Sequence, residues 1–333
     1  MIGTNNSGGV PEPTNTNFRT VTYTGNGSTQ SITGVGFAPD LVWAKAMNYA
    51  YNHWIYDTVR GANAGLLPNL TIAENTTTGV LSSLDSDGFT LGSNGELNQN
   101  NGSYVAWCLK AGGAAVSNND GTIPSLVSAN VSAGFSIVNY TGTGAAANRL
   151  VGHGLGQAPK IIIVKNRTGT QGWLAWTTII DGSMDYLFLN SAGPKDNAGQ
   201  SLPTSTVFNI QNDGGGESNA SGNQYLAYCF ADAEGFSKIG TYSGNASSFN
   251  VDLGFEPSLL IIKSTNNSGN WLMFDNKRGS GSYLKANLSD AAFTSAAFDV
   301  PFTENGFTIP APLFTDEQIN EPGWEYMYMA FAY

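Results

Sequence analysis

The chain has 333 residues, of which 12% are charged, with 14 Lys and Arg against 25 Asp and Glu and a formal net charge of −11. Phosphate binding needs clustered basic side chains, so this balance argues against a nucleic-acid surface, while abundant Gly, Asn, Ser and Thr favour turn-rich β-structure over long helices. No stretch is long and apolar enough to span a bilayer, and the start, Met1-Ile2-Gly3-Thr4-Asn5-Asn6, lacks the pattern of a signal peptide. No membrane insertion is expected, and the protein is read as made in a cytoplasm and released by lysis.

Residues 1–17 carry Gly8-Gly9, Pro11 and Pro13 among Asn and Thr, with no apolar periodicity to bury. The segment reads as an N-terminal arm that attaches to a neighbour, with Ile2, Val10, Pro11 and Pro13 as its few anchors.

From Phe18 onward the chain repeats itself. An opening strand ending in a turn occurs at Phe18-Arg-Thr-Val-Thr-Tyr23, Phe135-Ser-Ile-Val-Asn-Tyr140 and Phe236-Ser-Lys-Ile-Gly-Thr-Tyr242. A second pattern follows: Gly36-Phe-Ala-Pro-Asp-Leu-Val-Trp-Ala-Lys45 returns as Gly156-Gln-Ala-Pro-Lys-Ile-Ile-Ile-Val-Lys165 and Gly254-Phe-Glu-Pro-Ser-Leu-Leu-Ile-Ile-Lys263. Gly and Pro punctuate a turn, the apolar run reads as a buried strand, and the lysine is expected to mark its exit to water.

Next comes an aromatic strand at Trp54-Ile-Tyr-Asp57, Trp173-Leu-Ala-Trp176 and Trp271-Leu-Met-Phe-Asp275. Aligning its tryptophans places His53 opposite Gly172 and Asn270, so neither His53 nor His153 belongs to a shared site. Each repeat closes on an aromatic strand: Tyr104-Val-Ala-Trp-Cys108, Tyr225-Leu-Ala-Tyr-Cys229 and Tyr328-Met-Ala-Phe-Ala332. Aligning Tyr328 with Tyr104 and Tyr225 sets Ala332 against the two cysteines, which therefore read as small core residues rather than a disulfide or a metal site.

These matches divide the chain into the arm 1–17, sandwich repeats at 18–112, 135–231 and 232–333, and a linker at 113–134 whose second half suits an extra edge strand. The fold expected is all-β, three tandem antiparallel β-sandwiches of jelly-roll-like kind.

The polar motifs read as structural. Asp85-Ser86-Asp87-Gly88 resembles the opening of a calcium loop, but its counterparts Asn212-Asp213-Gly214 and Glu304-Asn305-Gly306 keep only what a hairpin turn demands. Asp57 and Arg60, like Asp275 and Arg278, are spaced to close a strand-end corner by an ion pair, worth little if exposed. No carboxylate pair or nucleophile elbow stands out, so no catalytic residue, metal or cofactor is expected. Tyr49, Tyr51 and Trp324 lie in loop-like sequence and are the aromatics expected to contact a ligand.

The ordered set of Gly36–Trp43, Ser86-Asp-Gly-Phe-Thr-Leu-Gly92, Tyr104–Trp107, Ala133–Val138, Gly152-His-Gly-Leu-Gly156, Ala158–Arg167, Glu234–Lys238, Phe274–Arg278 and Tyr326–Phe331 resembles an uncharacterised repeat domain common in tail-fibre-like and other virion proteins of marine tailed phages. The resemblance implies a virion-surface location and no established catalytic residues. The expected function is a non-enzymatic structural protein, a tail-fibre-type adhesin for host surface glycan. The alternatives are a capsid decoration protein of the cement or head-fibre kind and a glycan depolymerase. Expected partners are other virion proteins through the arm, host glycan, and further copies of the chain in the particle.

Overall fold

The key stretches are apolar without alternation because both of their faces are buried. In the computed structural model, which describes residues 17–333 apart from 147, 212, 213, 296, 297 and 313–316, the key strands are Leu41–Ala46, Ile161–Asn166 and Pro257–Ser264. The anchors expected in the arm, Ile2, Val10, Pro11 and Pro13, lie outside the described residues. Each key strand runs antiparallel between an aromatic strand (Trp54–Asp57, Trp173–Thr177, Leu272–Asp275) and a closing strand (Ser103–Leu109, Gln224–Phe230, Glu325–Ala332). The closing strand then pairs with an opening strand (Phe18–Thr24, Phe135–Thr141, Ser237–Ser243), so the order opening, closing, key, aromatic occurs in all three large sheets.

The sheets differ in what is added at their edges. The first has these four strands, and the last gains Ser282–Lys285 and Phe293–Thr294. The middle one has eight, extended on one side by Asp185–Phe188 and Asp196–Asn197 and on the other by Ser125–Asn130 and Val116–Asn118. The last two belong to the expected linker and continue the middle sheet past its opening strand. A small antiparallel sheet accompanies each large one, and the one helix among the described residues is Gly95–Asn98. The fold is an all-β antiparallel sandwich fold.

Side chains alternate across a strand, so each large sheet has two apolar faces. In the first sheet Val42, Ala44, Ala106 and Cys108 face a local core shared with Leu81, Phe89 and Leu91 of the small sheet. In the middle sheet Ile162, Val164, Ala227 and Cys229 do the same with Phe208 and Ile210. The opposite faces, carrying Leu41, Trp43 and Trp107, then Ile161, Ile163 and Tyr228, then Leu259, Ile261 and Met329, join a single core. The sheets are therefore not strung out separately but packed around one apolar centre.

That centre leaves a cavity of about 40 Å³, lined among others by Trp43, Ile163, Ile261, Tyr228, Met329 and Phe331. Its walls are apolar and aromatic, so it is a packing gap with nothing to hold a polar ligand. Cys108 and Cys229 lie in different local cores and are free thiols.

Three seams close the ring

Where two large sheets meet, the contacts recur in kind. Trp173 donates its indole N–H to the Leu67 carbonyl at 3.0 Å, Trp271 donates to Phe188 at 3.1 Å, and His53 Nε2 meets the Lys285 carbonyl at 3.1 Å. These join middle to first, last to middle and first to last, so the ring closes. Strand register explains the match. Trp43, Ile163 and Ile261 pair with Ile55, Ala175 and Met273, which puts His53 level with Trp173 and Trp271. This corrects the sequence alignment of His53 with Gly172 and Asn270, which is one residue out of step.

In each case the backbone N–H at this position donates to an asparagine Oδ1: His53 to Asn69 at 3.1 Å, Trp173 to Asn190 at 2.7 Å and Trp271 to Asn287 at 3.0 Å. His53 Nδ1 accepts from Trp43 Nε1 at 2.9 Å, leaving Nε2 as the protonated nitrogen of a neutral ring. Burial holds its pKa well below the usual histidine value. His53 is thus a seam residue.

A second contact varies with its partner. Tyr228 donates its hydroxyl to Asp57 Oδ2 at 2.8 Å across one seam, and Trp107 donates to Asp275 Oδ2 at 3.1 Å across another. At the third, the level position is Met329, and the residue in register with Asp57 and Asp275 is Thr177. A donor-bearing aromatic occurs where the adjoining segment supplies a carboxylate, and an apolar side chain occurs where it does not.

The Asp57 and Arg60 corner is consequently buried rather than solvated, with both side chains fully covered. Arg60 Nε lies 2.7 Å from Asp57, Nη1 lies 3.1 Å from Glu74, and Glu74 makes a two-pronged bond with Arg167 at 2.8 and 2.9 Å. These charges hold the guanidinium pKa above its ordinary value, although burial alone acts the other way.

The recurring lysines do not exit to water. Lys45 and Lys165 are fully buried and Lys263 is 1% exposed. Each lies two residues past the inward-facing residue of its key strand, and so on the same face. Their ammonium groups bond backbone carbonyls: Lys45 to Ala46 at 2.7 Å and Tyr49 at 3.1 Å, Lys165 to Gln171 at 2.6 Å and Thr71 at 3.0 Å, Lys263 to Ser264 at 2.6 Å and Ala192 at 3.3 Å. Thr71 and Ala192 belong to the adjoining segments, so two of the three lysines stitch seams directly. Burial lowers all three pKa values to about 8.

Candidate functional site

The loop aromatics are only partly brought together. Tyr49 and Tyr51 stack at 5.2 Å and pack against the local core of the first sheet. Trp324 lies in the last segment, stacked on Tyr326 at 6.3 Å and packed against the central core. No single site holds all three.

The turn reading of Asp85 to Gly88 has a specific geometry. Asp87 accepts the Gly34 and Gly36 N–H groups, and Asp85 accepts the Thr90 hydroxyl at 2.7 Å. Gly88 has φ 144°, and a Cβ there would lie 1.9 Å from the Ile32 carbonyl oxygen. Backbone contact therefore demands glycine. Among the described residues no group of three or more His, Cys, Asp or Glu is placed to hold a metal ion.

The most site-like feature is a cleft of about 390 Å³ in the middle segment, which sequence reading did not single out. Leu174 and Trp176 pair across strands with Phe188 and Tyr186, and their shared face forms the apolar wall. Tyr186 and Phe188 are half-buried and meet edge to face at 5.6 Å. The opposite wall is polar, with Asn197, Gln200, Gln211 and Glu217. Gln211 Nε2 reaches the Ala198 carbonyl at 3.5 Å, while the buried Gln200 Oε1 accepts no hydrogen bond from the described residues.

The same platform is covered in the other two sheets. In the first, Tyr56 stands level with Trp176, stacks on Trp54 at 5.9 Å, and has Gly65 pressed against that indole. In the last, Phe274 and Tyr283 are capped by Phe298 at 6.0 and 5.0 Å. Register sets Asp196 of the middle segment level with Phe293 of the last, so polar residues replace the aromatic cover there. Aromatic faces beside side-chain amides bind ligands that are apolar on one face and hydroxylated at the edge.

An all-β body of sandwiches closed around one core, with an open aromatic and amide cleft among its described residues, is the class of protein these features define. The chain belongs to the family described as a domain of unknown function, DUF7483, whose profile matches residues 13–333. A comparison with curated proteins returns no match.

Proposed function

We propose that the protein is a non-enzymatic structural component of a tailed-phage virion surface, acting as a tail-fibre-type adhesin for host surface glycan. The motif set read in the sequence supports the virion setting. The observation that carries the binding role is the middle cleft, whose aromatic wall faces side-chain amides. Glycoside hydrolysis ordinarily needs two carboxylates across the bond, and Glu217 is the one carboxylate among the described residues lining this cleft. The arm is proposed as the segment that joins other virion proteins and further copies of the chain.

Immunogold labelling of purified particles tests this reading. Label at the tail tip is expected. Label spread over the head overturns adhesion in favour of capsid decoration, and absence from particles sinks both. Release of reducing sugar from host envelope would instead favour a depolymerase.

A further inference from the structure

The charge and hydrogen-bonding chemistry of the middle cleft narrows its ligand. A carboxylated, sulfated or phosphorylated sugar is recognised by guanidinium or ammonium groups, which supply the strong charge-assisted bonds an anion needs. No Arg or Lys is among the described residues lining this cleft. Lys195, next to Asp196 in sequence, is committed to Asp185 at 2.7 Å and to Asp181. The charged group among the described residues that line the cleft is the Glu217 carboxylate, in a chain of net charge −11. Both disfavour an anion.

The polar groups match hydroxyls instead. A sugar hydroxyl both donates and accepts, and so does a side-chain amide; Asn197, Gln200 and Gln211 place three amides along the polar wall. Gln200 lines this wall, its Oε1 buried and without a donor from the described residues. The half-buried Tyr186 and Phe188, backed by the buried Trp176, suit the C–H face of a pyranose ring. In the last segment the corresponding face is closed by Phe298 and flanked by Phe293, so the open polar version belongs to the middle segment.

We propose that the cleft between the Tyr186 and Phe188 wall and the Asn197, Gln200 and Gln211 amides binds an uncharged pyranose and discriminates against acidic sugars. This rests on the adhesin reading and adds to it the place and the ligand class.

The test uses the full chain against immobilised neutral oligosaccharides of glucose, galactose, mannose and N-acetylglucosamine, with sialylated, uronate-containing and phosphorylated glycans alongside. Neutral glycan is expected to bind preferentially. Tyr186→Ala and Gln200→Ala should each weaken binding about tenfold or more, with Val116→Ala, exposed at the opposite edge of the same sheet, unchanged. Circular dichroism checks that each variant is folded, and Gln211→Ala serves as a milder second probe of the polar wall. Acidic glycans bound as tightly through Tyr186 would overturn the ligand class and leave adhesion standing. Neutral glycan bound equally by all cleft variants would overturn the location. If no glycan binds while the protein still attaches to host cells, the inference fails and adhesion survives; if it binds neither, both fall.

Discussion

Lys45, Lys165 and Lys263 make the protein more stable as pH rises from about 8 towards 10, a direction set by their burial. In the folded state each ammonium has a pKa of about 8, against 10.5 for an ordinary lysine, and the main cause in each case is desolvation. Between those values the unfolded chain binds more protons than the folded one, so unfolding becomes less favourable as pH increases. A full proton difference changes stability by about 1.4 kcal/mol per pH unit, so each lysine contributes on the order of 1–2 kcal/mol between pH 8 and 9.5. The window closes above roughly pH 10, where unfolded tyrosines ionise while buried ones such as Tyr140, Tyr228 and Tyr242, raised by desolvation, resist. Urea unfolding at pH 8.0, 8.75 and 9.5, at about constant ionic strength, measures the slope. Lys165→Met removes one titrating group, and its curve should rise less steeply whatever its absolute stability, since Thr71 and Gln171 also lose a donor. A wild-type curve that is flat or falls with pH, or an identical slope in Lys165→Met, would refute the reasoning.

Tyr228→Phe should cost about 1.5–3 kcal/mol in urea unfolding, because Asp57 loses a buried charge-assisted bond across a seam. Gly88→Ala should destabilise by more than about 1 kcal/mol in the same assay, since its Cβ would collide with the Ile32 carbonyl. Cys108 and Cys229 should react with a thiol reagent only in denaturant; burial raises both thiol pKa values, that of Cys229 to about 12. Rapid labelling of the native protein would contradict their placement.

Much of the local structure was legible in the residues themselves. Uninterrupted apolar runs after Gly and Pro marked the key strands. Tyrosines form in-register pairs, Tyr23 with Tyr104, Tyr140 with Tyr225 and Tyr242 with Tyr326, whose rings stack at 5.0 to 5.2 Å. This corrects the alignment of Tyr328 and Ala332, which is two residues out of step: Tyr326 is level with Tyr104 and Tyr225, and Ala330 is level with Cys108 and Cys229. The second tyrosine of each pair also accepts a loop N–H: Gln99 onto Tyr104, Ala220 onto Tyr225 and Glu321 onto Tyr326. Aspartate followed by glycine correctly read as a turn at Gly88, because the backbone there admits no side chain.

What the alignment of His53 missed was a single residue of register, which in a strand moves a side chain to the opposite face. The signal was present: His53 precedes Asp57 by the same interval as Trp271 precedes Asp275. Pairing energy, not the visual match of two tryptophans, decides that interval. The cleft had no such signal, because its walls come from strands and loops far apart in the chain, and its openness depends on what fails to cover it. The lysines show the same limit. A lysine ending an apolar strand is ordinarily solvated, and these become buried because folded chain covers each strand end and offers carbonyls to the ammonium, from the lysine's own segment for Lys45 and also from an adjoining one for Lys165 and Lys263. Sequence by itself determined strands, turns and the small core residues, all set by neighbours along the chain. Tertiary structure decided which faces meet, because closing three sheets on one core satisfies groups that no single segment can satisfy alone.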